Sequence, residues 1–426
     1  MSSPKALDRR RVPGAARRAR DRWTELAVRA GLVASWVSRR LGLGAGSIIG
    51  GRVTLALDPT ALARLASGRR VVLVSGTNGK TTTSHLLAAA LGTAGRVAHN
   101  ATGSNMADGA VAALAHDREA EFAVIEVDEL HLAKVAEAVD PVAIILLNLS
   151  RDQLDRGTEV RAVASAIGAA LSRHPQTTVV ANTDDPMVVW TASQGADQLW
   201  VSVGNGWSGD TSTCPRCGRA LDATGERWVC ACGLTRPVPA WRAAGGAAVR
   251  ADATIPITLG IPGRFNLGNA VMALAAASIL GVEPCRAAHA MGELEAVAGR
   301  YDVVTYRGHE LRLLLAKNPA GWSETIGLLD EARSLMVVIN AREADGRDTS
   351  WLWDVPFEQL TPRPVVAAGE RAADLGVRLS YAEIDHQTAS DPLAGLSLLP
   401  PGKVDLVANY TAFHQLRRRL AAEGQR

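Results

Sequence analysis

From Val71 the chain reads Val-Val-Leu-Val-Ser-Gly76-Thr77-Asn78-Gly79-Lys80-Thr81-Thr82-Thr83. A β-branched run breaks into a glycine-rich turn and then into a helical pattern from Thr81 to Leu91, so the turn lies between a buried strand and a helix N-terminus. Unpaired backbone N–H groups at such a helix start, together with the helix dipole, favour an anion there, and Thr77, Asn78, Gly79, Lys80, Thr81 and Thr82 are the candidate residues. Lys80 reaches the terminal phosphates and the Thr81 hydroxyl is offered to Mg²⁺, so the chemistry implied is binding of a nucleoside triphosphate such as ATP. The longer eight-residue phosphate loop would place glycine at 74, where this chain has Val74. A chance Gly-x-x-Gly-Lys-Thr in a surface loop is the bland alternative; a strand before it and a helix after it weigh against that.

The second constellation is Cys214-Pro-Arg-Cys217-Gly, twelve intervening residues, then Cys230-Ala-Cys232-Gly. Two thiolate-bearing turns of this kind form a zinc ribbon, in which four soft ligands close a tetrahedral shell and leave no position for a substrate. The zinc is therefore structural. One residue between Cys230 and Cys232, instead of two to four, is a departure in the second turn. Four unliganded core cysteines are the alternative, against which the glycines after Cys217 and Cys232 speak. Cys285, alone in an apolar context, reads as core. Crowding of four of the five cysteines into 214–232 fits a reducing compartment and not a disulfide framework.

Ser-Gly-Thr-Asn-Gly-Lys-Thr-Thr resembles the short phosphate loop of the Mur ligase superfamily, ATP-dependent enzymes that join an amine to a carboxylate. Glu126, in Val-Ile-Glu-Val-Asp-Glu-Leu, is similar to the magnesium-binding glutamate of that family. Asn148-Leu-Ser-Arg-Asp152-Gln153-Leu-Asp155 resembles its Asn-x-x-x-Asp-His-Leu-Asp segment, and Asn182-Thr-Asp184-Asp185-Pro186 its Asn-x-Asp-Asp-Pro turn. Asn266 and Asn269 match the helix start whose asparagine reads adenine, and Arg300 matches an arginine on the nucleotide phosphates. Two departures narrow the resemblance. Gln153 replaces a histidine that would ligate a second magnesium, and no lysine lies between Lys134 and Lys317 to carry the carbamate many of these ligases use.

With a four-cysteine insert, no N-terminal UDP-binding unit, and the run Asn340-Ala-Arg-Glu-Ala-Asp345-Gly-Arg-Asp348-Thr-Ser-Trp351-Leu-Trp353-Asp354, the chain is similar to the MurT family. That resemblance implies amidation of D-glutamate in the stem peptide of lipid II, through an acyl phosphate, with ammonia from a GatD-type glutaminase partner. The small nucleophile explains the missing amino-acid machinery. Lys317, in Leu-Ala-Lys317-Asn318-Pro319, stands where other Mur ligases carry an Asp-x-x-His-Asn-Pro turn. It can meet phosphate or the substrate carboxylate, where an ammonium stabilises developing charge, or be a surface lysine in a turn. A glutaminase Cys–His pair needs a carboxylate to orient its imidazole. Asp348, and next Asp345, are the candidates to supply it in trans, from a stretch whose tryptophans suit a partner-facing patch.

Chemistry of this kind needs a sheet to hold its loops. Apolar runs at Val71–Ser75, Phe122–Val127, Val142–Leu147, Thr178–Ala181 and Leu199–Val203 alternate with helical stretches, the pattern of a parallel, helix-covered sheet. After Gly299-Arg300 a second unit opens, with strand candidates at Leu311–Leu315, Ser334–Ile339, Val365–Ala368 and Val404–Ala408. The expected organisation is α/β throughout: a basic helical segment at 1–50, a Mur ligase-like central P-loop domain at 51–300 with the ribbon inserted at 205–240, and a smaller α/β C-terminal domain at 301–426.

Trp23 to Leu41 has apolar residues at helical spacing with arginines on the other face, so it either touches an anionic lipid surface or packs on its own domain. A glycine-rich link, Gly42–Gly51, then leads to the first strand. The 426 residues are 47% apolar and 21% charged, which excludes disordered and fibrous classes. No apolar run suffices for a membrane span, and arginines interrupt any signal-peptide core. A cytoplasmic protein, possible at the inner membrane face, is expected. The net charge of +3 divides into +8 over residues 1–40 and −5 over the remainder. An acidic body, and a ribbon with Arg216, Arg219 and Arg227 against Asp222 and Glu226, argue against the rival reading of a nucleic-acid-stimulated ATPase. A folylpolyglutamate-type ligase is the other rival, and the lysine gap opposes it.

Overall fold

The computed structural model describes residues 14–41, 47–100, 105–150, 160–204, 212–224, 227–261, 263–294 and 301–424. Three helices come first: α1 (Gly14–Arg40), α2 (Ser47–Leu57) and α3 (Ala61–Ala66). α2 takes up residues 47–51 of the glycine-rich link expected at 42–51. Its glycines serve close contact: a Cβ on Gly51 would lie 2.0 Å from the Asp108 carbonyl oxygen, and one on Gly50 would lie 2.7 Å from that of Gly31.

Strands and helices then alternate as β1 (Arg70–Ser75), α4 (Lys80–Gly92), β2 (Val97–His99), α5 (Ala107–His116), β3 (Phe122–Glu126), α6 (Leu132–Val139), β4 (Ala143–Leu146), α7 (Val160–Leu171), β5 (Thr178–Asn182), α8 (Pro186–Ala192) and β6 (Asp197–Ser202). The small hairpin β7 (Asp222–Thr224) and β8 (Arg227–Val229) follows. After it come β9 (Trp241–Ala244), β10 (Ala247–Val249), β11 (Thr254–Pro256), α9 (Arg264–Ile279) and α10 (Pro284–Gly292). Nine strands join in the order β11-β10-β9-β6-β5-β4-β1-β3-β2, antiparallel only between β9, β10 and β11. Helices cover both faces, so successive residues of one strand enter different cores. Val72, Val74, Ile145 and Val180 pack with α4 and α9, whereas Val71, Leu73, Ile144 and Val179 pack with α5, α6 and α7.

A second sheet follows from β12 (Tyr301–Tyr306), β13 (His309–Leu315), α11 (Pro319–Ile326), β14 (Ser334–Val338), β15 (Val365–Ala368), α12 (Ala372–Tyr381), β16 (Gln387–Ala389), α13 (Pro392–Gly395), β17 (Gly402–Ala408) and α14 (Tyr410–Gly424). Its order is β12-β13-β17-β14-β15-β16, parallel except for the β12–β13 hairpin. That hairpin turns through Arg307 and Gly308, both at positive φ, the geometry that matches strand twist. β12 and β16 were not foreseen, because an edge strand with one polar face has no continuous apolar run.

Three expectations are corrected here. Cys285, read as core, is exposed in the first turn of α10. In α1 the arginines do not oppose the apolar residues: Leu26, Val33, Trp36 and Val37 are exposed, whereas Thr24, Ala27, Val28, Gly31 and Ser38 are buried. In the Trp351–Trp353 segment, Trp351 is core, stacked near Trp322 beside Phe357, and Trp353 alone is exposed. Among the described residues no helix is long and apolar enough to cross a membrane.

Candidate functional site

The turn after β1 is held from behind by the end of β4. Thr77 N–H donates to the Asn148 carbonyl (2.9 Å), the Thr77 hydroxyl donates to the Ser150 carbonyl (3.0 Å), and Asn78 N–H donates to Asn148 Oδ1 (2.8 Å). Gly76 and Gly79 adopt φ of +141° and +84°, which a side chain resists. Gly79 also has no room for one, since a Cβ would sit 2.7 Å from Asn269 Oδ1. The loop therefore presents backbone N–H groups at the start of α4, where the dipole favours phosphate.

Lys80 folds back over this loop. Its ammonium donates to the carbonyl oxygens of Gly76 and Thr77 and to Glu129 Oε2, the last at 3.0 Å with both side chains nearly buried. Glu129 was missed by sequence reasoning, although it stands three residues after Glu126 in the quoted motif. Glu126 ends β3, its backbone paired both ways with the Asn100 amide. Its Oε2 is buried and meets no hydrogen-bond partner among the described residues. A buried carboxylate oxygen in that state suits a hard cation, and Thr81, at the head of the same helix as Lys80, supplies a hydroxyl oxygen. These two residues fit Mg²⁺.

Asn266 and Asn269 come from the first turns of α9, linked by an Asn269 Nδ2 to Asn266 Oδ1 bond of 3.2 Å, and Asn269 lies against Gly79. Thr82 is buried in α4. Arg300 and the 151–159 segment, with Asp152, Gln153 and Asp155, lie outside the described residues.

From the second sheet, Asn318 reaches the same loop. Its Nδ2 donates to Asn78 Oδ1 (3.0 Å) while its Oδ1 accepts from Gly321 N–H and caps α11. Lys317 is its neighbour in the chain and so stands beside the phosphate loop, half-buried. The sequence quoted this turn for Lys317, but the bridging residue is Asn318.

Asp345 and Asp348 separate. Asp345 is buried and accepts from the N–H (2.8 Å) and hydroxyl of Thr411 and from Arg342 N–H. It pins its loop to the start of α14. Asp348 is exposed, and the Ser350 N–H donating to it at 2.8 Å holds its carboxyl below the usual carboxylate range.

The four cysteines converge, with all four sulfurs within 4.8 Å of one another. Separations of 3.6 Å (Cys214–Cys232) and 3.4 Å (Cys217–Cys230) are far beyond a disulfide. They approach the tetrahedral edge of about 3.8 Å that Zn–S bonds of about 2.3 Å require. Each turn closes on a glycine at positive φ: Gly218 N–H donates to the Cys214 carbonyl and Gly233 N–H to that of Cys230. The second turn is one residue tighter and still presents both thiols. The Leu234 N–H, the largest influence on Cys232, draws that thiol down to about 7. For Cys230 the Cys232 N–H works in the same direction, but desolvation and the neighbouring thiols push it up to about 12. The donor set fits one structural zinc. The cluster is anchored to the large sheet by Trp228 Nε1–H on the Thr183 carbonyl (3.1 Å) and by Arg236 on Asp184 (2.6 Å). Asp185 meanwhile caps α8 and accepts from Leu149 N–H.

Comparison with known proteins agrees with this geometry. The Mur ligase middle domain family matches residues 74–210, and the MurT ligase C-terminal family matches 315–413. The lipid II isoglutaminyl synthase (glutamine-hydrolyzing) subunit MurT of Streptococcus pneumoniae is 30% identical over 387 residues, 84% of this chain and 86% of that protein. Its namesake from Staphylococcus aureus strain N315 is 29% identical over 401 residues, 85% and 88% of the two chains. Among solved structures, a pseudomurein peptide ligase type C from Methanothermus fervidus superposes with a TM-score of 0.67 at 19% identity, over 83% of this chain and 79% of the other. MurF from Acinetobacter baumannii does so at 0.66 and 16%, over 87% and 80%. At those identities the structures speak for the fold alone.

Proposed function

This chain belongs to the MurT family of Mur-type ligases, and from that premise we propose that it is the ATP-dependent synthetase subunit of a lipid II isoglutaminyl synthase in peptidoglycan synthesis. The α-carboxylate of D-glutamate in the stem peptide attacks the γ-phosphorus of ATP, and ADP departs. Ammonia then adds to the acyl carbon, the C–O bond to phosphate breaks, and a proton passes to water, leaving D-isoglutamine and phosphate. Ammonia comes from glutamine, hydrolysed by a GatD-type glutaminase bound to this chain.

Residues 77–82 hold the phosphates, and Lys80 leaves Glu129 to neutralise the terminal phosphoryl group. Thr81 and Glu126 would hold Mg²⁺, which draws charge from the phosphates as the bond to ADP breaks. Asn266 and Asn269 stand where adenine is read, with Arg300 assigned to the phosphates by family resemblance. Lys317 stabilises the charge that develops on the acyl phosphate. Asp348 is presented to the glutaminase, whose imidazole it orients. Cys214, Cys217, Cys230 and Cys232 would hold a zinc ion that ties the two turns of the insert together, and Trp228 and Arg236 fix that insert against the end of β5. A lipid-borne substrate places the work at the cytosolic face of the membrane.

Convergence at the phosphate loop carries the reading: the buried Glu126 oxygen, unpartnered among the described residues, the folded-back Lys80 and the Asn318 bridge from the second sheet meet there. The test is to combine the chain with a GatD-type glutaminase, glutamine, ATP and lipid II and to follow amidation by mass spectrometry. Glutamine-dependent conversion coupled to ADP release is the expected result; ATP turnover without amidation would refute the assignment.

A further inference from the structure

α1 is built inside out for a helix of a water-soluble domain. The face turned to α2 is made of small and polar groups: Thr24 bridges Asp58 (2.6 Å) and Arg64 (2.6 Å), and a Cβ on Gly31 would lie 2.5 Å from the Gly50 carbonyl oxygen. Close packing of this kind leaves no room for large side chains. They point outward instead, with Leu26 57%, Val33 61% and Trp36 58% exposed, and Trp23, Val37 and Leu41 exposed beside them. A buried-face helix would carry the opposite distribution.

Cationic groups share that outward face. Arg22, Arg29, Val33, Trp36 and Arg40 follow at intervals of seven, four, three and four residues, which is one stripe of an α-helix. The Arg40 guanidinium stands 6.0 Å from the Trp36 ring centroid. The nearby Glu25 is paired with Arg29 and Arg118, so its charge is met. Indole rings and arginines interleaved with aliphatic side chains match the headgroup layer of a bilayer, where the rings enter the interface and the guanidinium groups meet phosphate. Residues 1–40 add a net charge of +8, attractive to anionic lipid and not to neutral lipid.

We propose that the outward face of α1, centred on Leu26, Val33 and Trp36 and edged by Arg22, Arg29 and Arg40, seats the protein on an anionic membrane surface. This rests on the functional reading only in so far as a lipid-borne substrate gives the seating a purpose.

The full-length protein is floated through a density gradient with vesicles of equal parts phosphatidylglycerol and phosphatidylcholine, and with phosphatidylcholine alone. Binding to the anionic vesicles should be stronger by about tenfold or more. Val33→Glu with Trp36→Glu should weaken it by about tenfold or more, and Arg22→Gln with Arg40→Gln should reduce the preference for anionic lipid. All four side chains are exposed, so zinc content and ATP affinity should stay at the parent values. Failure of the parent to float, or undiminished flotation of the Val33→Glu/Trp36→Glu protein, overturns the seating. So does a dimer of the parent that the same pair dissolves, which would make a second copy the occupant. Amidation of detergent-solubilised lipid II is read separately: vesicle binding without amidation would leave the surface standing and remove the functional reading.

Discussion

Lys80 has a carboxylate partner before any nucleotide arrives. Glu129 sits 3.0 Å from its ammonium, and both side chains are largely shielded from water, so the phosphates of ATP must displace one anion to bind. Removal of that competing charge in Glu129→Gln should tighten ATP binding by about fivefold, roughly 1 kcal/mol in binding free energy. Calorimetric titration with the magnesium–nucleotide complex reads this directly, and unchanged affinity would remove Glu129 from the competition. Lys80→Ala should abolish ATP turnover, because the side chain answers phosphate charge, and normal ATP hydrolysis by the variant would overturn the phosphate-loop assignment. Asp348→Asn should lower amidation driven by glutamine and spare amidation driven by free ammonium. Equal loss with both nitrogen sources would place Asp348 in the ligase site. The contrast between Asp345 and Asp348 shows where sequence reading stops. The two carboxylates are three residues apart in one polar stretch, yet Thr411, 66 positions away from Asp345, decides which is buried. Local pattern contains no such information.

Elements built on strong local rules were legible. The β1 run, the glycine turn and α4 declare themselves because strand burial, positive-φ glycines and a helix start must coincide at a phosphate loop, and the paired Cys–Gly turns are bound by equally tight geometry. The orientation of α1 was not legible: its periodicity is clear, but which stripe is buried depends on Gly31 meeting Gly50, and that contact belongs to α2. Gly42–Gly51 read as a link for a related reason, since glycine signals both a loose chain and close helix packing. The knuckles predict their own chemistry. Elemental analysis should find one zinc per chain, and Cys214→Ala should lower stability more than it lowers ATP affinity, since a closed shell leaves no place for substrate. A zinc-free, equally stable protein would contradict it. At the edge of the large sheet, His99 of β2 lies against Ser84 of α4 and edge-on to His85. Desolvation first, and the His85 charge second, pull its pKa to about 3. The unfolded chain, with an ordinary imidazole near 6.5, binds the proton more readily. Stability is therefore complete above about pH 6.5 and falls as pH drops toward 3, by at most ~1.4 kcal/mol per unit from this group. Urea midpoints between pH 7 and 5 should fall more steeply for the parent than for His99→Gln; parallel curves would acquit His99.

Across the whole molecule, two sheets formed by separate stretches of chain meet at one loop. Asn78 and Asn318 are 240 positions apart, and the 3.0 Å bond between their side chains sets Lys317 beside the phosphate loop. Neither residue announces this in sequence, because Asn318 is already accounted for as the cap of α11 before Pro319. Its amide divides the work: the oxygen caps the helix and the nitrogen bridges the sheets. Asn318→Ser separates the two roles, since a serine hydroxyl can still accept from Gly321 N–H but is too short to replace the amide nitrogen at Asn78. Thermal stability should remain within a few degrees of the parent, as expected when a cap is exchanged for another good cap. Ammonium-driven amidation should fall by about tenfold in kcat, because a ligase whose acyl-phosphate side and nucleotide side are misaligned loses orientation before it loses binding. The KM for ATP should change much less. A kcat equal to the parent's would show that the bridge holds the two sheets together without aligning the reaction, and a rise in the KM for ATP with kcat preserved would assign Asn318 to nucleotide binding instead.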